Sequence, residues 1–217
     1  MSTRIVVVGA GGLGREVLDV IEDLCSAGEI IEVVGVADDS PSEKNLQLLE
    51  QRGYRYLGTT DDVVAGGEMY GYVLGIGSPS ARRKISERFD MAAWQAATLI
   101  HPQATVGSAV TMEPGVILTA GVRVTTNVIL ERHVMLNLNV TVGHDTRVRE
   151  FAVVNPGVHV SGDVTIHPGV LLGTGAAVLQ GLEVGEGATV GANACVTKNV
   201  DAGVTVVGVP ARPLNSR

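Results

Sequence analysis

From Ile100 to Val196 an aliphatic side chain stands at every sixth position without a break: Ile100, Val106, Met112, Leu118, Val124, Leu130, Leu136, Val142, Val148, Val154, Val160, Ile166, Leu172, Val178, Val184, Val190 and Val196. Two residues before nearly every one stands a small or branched residue, as in Ala104, Val116, Val134, Val140 and Ala176. A period of six matches neither an α-helix at 3.6 nor a plain strand at 2. It fits a coil with flat sides of one hexapeptide each, one aliphatic side chain per side pointing inward and the corners turned at Gly and Asn positions. Three sides close a turn of about 18 residues, so residues i and i+18 stack. A β-sandwich would instead need irregularly spaced turns and a clean alternation of polar and apolar residues. With 45% hydrophobic but only 3% aromatic residues, one Trp and 28 glycines, the core is filled by Val, Ile, Leu and Ala.

Residues 1–97 follow a different pattern. Apolar runs at Ile5–Val8, Ile31–Ala37 and Tyr72–Ile76 read as strands, and the segments Gly12–Leu24, Ser42–Arg52 and Ser80–Phe89 as helices. This is a small α/β unit with a parallel, Rossmann-like sheet, about half of a full dinucleotide-binding fold. Its first turn carries Gly9, Gly11 and Gly14 in the spacing G-x-G-x-x-G. Such glycines permit a tight turn and close backbone approach, and place phosphates on the N-terminus of the following helix. Taken alone the motif fits an NAD-dependent oxidoreductase with a β-helix appended; it serves the phosphates of a nucleotide-sugar equally well. The chain therefore divides into 1–97, a small Rossmann-like α/β domain; 98–205, an all-β coil of hexapeptides; and 206–217, a C-terminal tail.

A formal net charge of −7 argues against nucleic acid or an anionic membrane as partner, and Arg82-Arg83-Lys84 is too short a cluster to reverse that. Two cysteines, Cys25 and Cys195, fit no disulfide or metal framework. No metal is expected, no apolar run is long enough to span a bilayer, and the N-terminus has no signal-peptide layout, so the expected location is the cytoplasm. Among five histidines, His144 stands out because it follows Gly143 and precedes Asp145, a carboxylate able to steer an imidazole. Adjacent residues of a strand point to opposite faces, however, so the pair need not touch. Cys195 has no histidine near it in sequence and reads as a small packed residue rather than an acyl-carrying nucleophile.

The repeat, together with "VVGVPARPL" at 206–214, resembles the left-handed β-helix of hexapeptide-repeat acyltransferases. With "VVVGAGGLGREVLDVI" at 6–21, "VGVADD" at 34–39, "GIGSPSARRK" at 75–84 and "LIHP" at 99–102, the chain is similar throughout to sugar acetyltransferases of the NeuD/PglD type. The resemblance implies an acetyl-CoA-dependent N- or O-acetyltransferase, with a nucleotide-linked sugar, a UDP-amino-sugar foremost, as acceptor. It places the general base on His144 with Asp145 beside it, and an acceptor-orienting role on Asn137. Coenzyme A is implied to lie along Gly162, Thr174, Gly191 and Ala192, with Arg212 near its phosphates. Gly162, 18 residues after His144, would offer its amide to the oxyanion or merely turn a corner, and Arg212 would pair with phosphate or stand as a solvated charge.

For the acceptor, the resemblance implies Gly9, Gly11, Gly12, Leu13 and Gly14 around the diphosphate, Asp38 and Asp39 on the nucleoside, and Gly77, Ser78 and Arg82 completing the site. Two positions depart from the family pattern: Leu13 and Val153 stand where relatives carry histidines. A homotrimer is expected, because a stack of about five coils leaves aliphatic outer faces and a groove that closes only against a neighbour. The same fold acting on an amino acid or a secondary-metabolite precursor is the alternative.

Overall fold

A computed structural model describes residues 3–214. The chain divides after Pro102 into two compact units, rather than after residue 97. In the first, β1 (Thr3–Val8), β2 (Ile31–Ala37), β3 (Gly71–Leu74) and β4 (Gln95–Ala96) form a parallel sheet in the order β2-β1-β3-β4. The helices are α1 (Gly12–Ser26), α2 (Glu43–Gln51), α3 (Thr60–Ala65) and α4 (Pro79–Met91). The central strand β1 is apolar in succession at Ile5, Val6, Val7 and Val8, all at most 1% exposed, as a strand covered on both faces requires. Val17, Leu18 and Ile21 recur on one face of α1 and are equally buried. Tyr72 stacks on Phe89 at 4.4 Å between ring centroids, and Trp94 meets Phe89 edge-on, closing the core around α4. Two elements escape the sequence reading: β4 is two residues long, and α3 is a six-residue helix begun by a reciprocal cap between Thr59 and Asp62.

The carboxyl ends of the parallel strands release three loops along one edge of the sheet, Gly9–Gly11, Asp38–Ser42 and Gly75–Ser78. In parallel α/β sheets that edge is where ligands bind.

The second unit is a left-handed β-helix of about six turns, against the five expected. Its two-residue strands stack in parallel at intervals of 18, for example Thr111, Ile129, Arg147, Thr165 and Glu183 on one side. The second residue of each strand points inward. Leu118, Leu130, Leu136, Val142, Val148, Val154, Ile166 and Leu172 are all wholly buried, each burial contributing about 1.5–3 kcal/mol. The residue two before the aliphatic one, such as Val134 or Val140, closes the same core.

The corners fall three residues after each inward aliphatic residue, at left-handed φ: Asn127, Asn139, Asp145, Asp163 and Asn193 are typical, with Gly at many equivalent turns. Asn and Asp tolerate that conformation better than other side chains. The glycines immediately after the aliphatic residue do a different job. A Cβ on Gly107 or Gly143 would come within 2.6 Å or 2.5 Å of the backbone of the next turn, so those positions permit close stacking rather than a change of direction.

The last turn departs from the period. Val200 bridges to Val184 and Thr205 pairs with Thr189, both intervals of 16, so the six-residue rhythm ends at Val196 while the solenoid continues. Strand Thr205–Val207 belongs to it, and the boundary expected after residue 205 falls inside that strand. Residues Arg212–Pro213 turn back antiparallel beside it. Asn215–Arg217 of the expected tail lie outside the described residues.

Candidate active site

The corner after strand Thr141–Val142 brings His144 and Asp145 together. His144 Nδ1 lies 2.8 Å from Asp145 Oδ2. The two residues touch because they are past the strand: φ of +59° at Asp145 swings its side chain back toward the ring, which strict strand alternation would forbid. Asp145 Oδ1 accepts a second bond, 3.1 Å, from Asn127 Nδ2 on the preceding turn. The hydrogen bond to His144, and after it the one from Asn127, hold the Asp145 carboxyl below the usual carboxylate range. A carboxylate only accepts, so Nδ1 presents an N–H to Asp145, and in the neutral ring the lone pair then falls on Nε2.

The His144 side chain is 64% exposed. Its ring lies over Gly162, where a Cβ would stand 2.6 Å from both Cε1 and Nε2. Gly162 is not at the left-handed corner position, which Asp163 occupies; its missing side chain makes room for the imidazole. The Gly162 N–H has no hydrogen-bond partner among the described residues. A base with an open nitrogen and an unspent amide thus share one corner.

The other predicted residues lie elsewhere. Asn137, Thr174, Gly191 and Ala192 follow strands Met135–Leu136, Leu171–Leu172 and Thr189–Val190, which places them along a different edge of the prism. Asn137 is 4% exposed, and its Oδ1 is buried without a partner. Within one chain the flat side bearing Thr141–Val142 separates this edge from His144. Arg212 is exposed on the returning strand, with Nη1 2.8 Å from its neighbour's carbonyl, Ala211 O. Val153 is wholly buried. Cys195 is half-buried and held by its backbone, donating to Gly208 O and accepting from Ala211 N.

In the first unit, Gly9, Gly14 and Gly75 interlock: a Cβ on Gly14 would stand 1.8 Å from Gly9 O, and one on Gly75 2.4 Å from Gly14 Cα. These glycines bring helix α1 onto the strand ends. Gly11 and Gly12 face open space, and α1 begins without a side-chain cap, leaving its first N–H groups available to an anion. Leu13 Cδ2 reaches to 3.8 Å from where a Cβ on Gly77 would stand, so two of the expected loops meet there.

Several side chains expected on a nucleotide are engaged by the protein itself. Asp38 accepts from Ala10 N at 2.7 Å and Ser40 N at 2.8 Å. Asp39 accepts from Thr60 N, Thr60 Oγ1 and Arg88 Nη1, which together outweigh its desolvation and keep its carboxyl ionised to lower pH than usual. Ser78 caps α4 by accepting from Ala81 N. Arg82 requires a correction: it is 0% exposed, donates to Leu74 O and Ile76 O, and burial pulls its pKa down to about 10. It shapes the end of β3 from inside and does not face a substrate. Arg15, passed over in the sequence, does lie at the loop: its guanidinium donates to Ala10 O at 2.9 Å and to Asn45 Oδ1 at 2.8 Å. The only sequence signal for it was a cation one residue past the last glycine.

Residues 4–89 match the family described as the PglD N-terminal domain. Among solved structures, the acetyltransferase domain of PglB from Neisseria gonorrhoeae is 28% identical, covering 97% of this chain and 99% of that one, with a TM-score of 0.84. A variant of perosamine N-acetyltransferase from Caulobacter crescentus, in complex with CoA and GDP-perosamine, is 26% identical over 98% and 97% of the chains, with a TM-score of 0.84. WeeI from Acinetobacter baumannii is 25% identical over 99% and 100%, again at 0.84. The chain is a sugar acetyltransferase, similar over its length to those of the NeuD/PglD type. Among curated proteins none matches it. Among the described residues of this acetyltransferase no helix is long and apolar enough to cross a membrane, and no group of three or more His, Cys, Asp or Glu could hold a metal ion.

Proposed function

We propose that this acetyltransferase transfers the acetyl group of acetyl-CoA to the amino group of a nucleotide-linked sugar, with His144 as general base. The observation that carries the reading is the His144–Asp145 pair at 2.8 Å with Nε2 open beside the unspent amide of Gly162. Relatives supply the substrate class: the N. gonorrhoeae domain is described in complex with acetyl coenzyme A, and the C. crescentus enzyme with CoA and GDP-perosamine. Guanosine thus joins uridine as a candidate for the nucleoside, and the open Gly11–Gly12 turn serves the diphosphate of either.

In the reaction the acceptor nitrogen attacks the thioester carbonyl, forming the C–N bond as Nε2 takes the amine proton. The oxyanion is met by the Gly162 N–H. As the C–S bond breaks, the proton passes to the departing thiolate, giving CoA–SH and regenerating the base. No enzyme-bound acyl group forms, in keeping with the bonded, half-buried setting of Cys195.

Assembly as a homotrimer is part of the proposal. Asn137, Thr174, Gly191 and Ala192 lie on one edge of the prism and His144 on another, so a single chain does not converge them; one copy's edge beside another copy's different edge does. Leu138 and Leu179, each 40% exposed at corners, suit such a contact.

The test is CoA–SH release from acetyl-CoA with GDP-, UDP- and dTDP-linked 4-amino sugars, run on the wild type and on His144→Ala. Transfer to at least one acceptor, reduced a hundredfold or more by the substitution, is expected for loss of a general base. Release with none of them, or a His144→Ala enzyme of near-normal rate, refutes the reading. Light scattering at a mass other than three chains refutes the trimer.

A further inference from the structure

We infer that Asn127, one turn before the catalytic corner, is a positioning residue that sets the tautomer of His144 through Asp145; the inference rests on the base assignment above.

The geometry is a relay across two turns of the solenoid. Asn127 Nδ2 donates to Asp145 Oδ1 at 3.1 Å, and Asp145 Oδ2 lies 2.8 Å from His144 Nδ1. Because a carboxylate cannot donate, the amide nitrogen of Asn127 must face it, and the Asn127 oxygen then faces the Thr126 hydroxyl, 3.5 Å away. The Asn127 N–H is itself tied to Ser108 O, and the Thr126 hydroxyl to the same carbonyl, so the relay is anchored a further turn back. Asp145 and Asn127 occupy the same corner position on successive turns, both at left-handed φ. A free aspartate at that exposed corner would sample several rotamers. Bonds to both of its oxygens hold it in the one that meets Nδ1, which keeps the proton there and leaves Nε2 as the acceptor.

The charged groups around the pair are few. Asp163 occupies the same corner one turn on, and Arg147, two residues past Asp145, is already paired with Glu131 at 2.5 Å. Besides His144 itself, Asn127 is the side chain bonded to the carboxylate among the described residues, which makes it the place to perturb the relay while leaving the His144–Asp145 pair in place.

Asn127→Gly deletes the amide while keeping a residue that adopts φ of +56° freely. Asn127→Asp places a second carboxylate against Asp145. The ring nitrogens of His144 are followed by 15N NMR on the full-length protein without substrate, the signal being assigned by its loss in His144→Ala, and kcat and KM are measured with acetyl-CoA. In the wild type Nδ1 carries the proton. In Asn127→Gly a mixture of tautomers is expected, with kcat lowered about tenfold and both KM for acetyl-CoA and the melting temperature little changed. In Asn127→Asp the acid limb of the pH–rate profile moves up by about one unit, since added negative charge favours the protonated ring. An unmixed tautomer in Asn127→Gly, or a fall in kcat accompanied by equal changes in KM and melting temperature, overturns the inference. Failure of the base assignment shows separately, as an active His144→Ala.

Discussion

Two glycine sites, the turn Gly9–Gly14 in the first unit and the corner where Gly143 and Gly162 stack on successive coils in the second, use the same residue for different ends. At the first, a Cβ on Gly14 would collide with Gly9 O, so the glycines exist to lock helix and strands together. At the second, the absent side chain of Gly162 makes room for a functional group, the His144 ring. The side chains around them differ in the same sense. Asp38, Asp39 and Arg82 are engaged by the protein's own backbone and hydroxyls, so what the first turn offers a ligand is chiefly the open backbone of Gly11 and Gly12. His144 spends one nitrogen on Asp145 and leaves the other open. A motif of glycines therefore reports close approach; what approaches has to be read from the groups left unspent.

That contrast can be broken by substitution. His144→Ala should lower transfer by about 10²–10⁴-fold while binding of nucleotide-sugar to the first unit, measured by calorimetry, stays within a factor of two. A parallel loss of binding would erase the division of labour. Gly14→Ala places a methyl 1.8 Å from Gly9 O and should cost about 3 kcal/mol or more, seen as an early melting transition of the first unit.

Asp39→Asn sharpens the comparison through pH. The carboxyl of Asp39 is depressed in the folded state, so its contribution is fully present above its ordinary value of 3.8 and is lost as pH falls through the lower folded value. The variant should melt below the wild type at pH 7, by a modest margin because the group is partly solvated, and the gap should close below about pH 4. Gly12→Ala has the smallest expected effect on stability, within about 0.5 kcal/mol, since a Cβ there meets nothing within 4 Å. It should weaken nucleotide-sugar binding severalfold if the open N–H groups hold the diphosphate.

The β-helix was legible in the sequence because each inward position repeats, so that Leu136 and Val154 testify to one another across a turn. The last turn was not, since its interval of 16 removes two residues from the period that revealed the others. Which glycines turn a corner is hidden for a related reason. The letter G stands alike at left-handed corners such as Gly121 and Gly175 and at Gly107 and Gly143, where the structure needs the absence of a Cβ, and other corners carry Asn127 and Asp145. His144 could be singled out from its neighbours, but its contact with Asp145 depends on a backbone reversal that no pair of adjacent letters displays. Arg82 shows the converse limit: beside Arg83 and Lys84 it reads as surface charge, and only the packing of α4 reveals that it points into the sheet.

A stack of parallel rungs has, by construction, two raw ends, each a row of amides and carbonyls able to recruit the next strand that drifts past. The returning segment Arg212–Pro213 closes one side of one such end by running antiparallel against Val206–Val207, with Leu214 N bonded to Thr205 O at 2.7 Å. Reversal of direction breaks the parallel register that another solenoid would need, and Pro213 contributes no N–H to extend the ladder. The short return thus acts as a stopper against growth of the solenoid into a fibre.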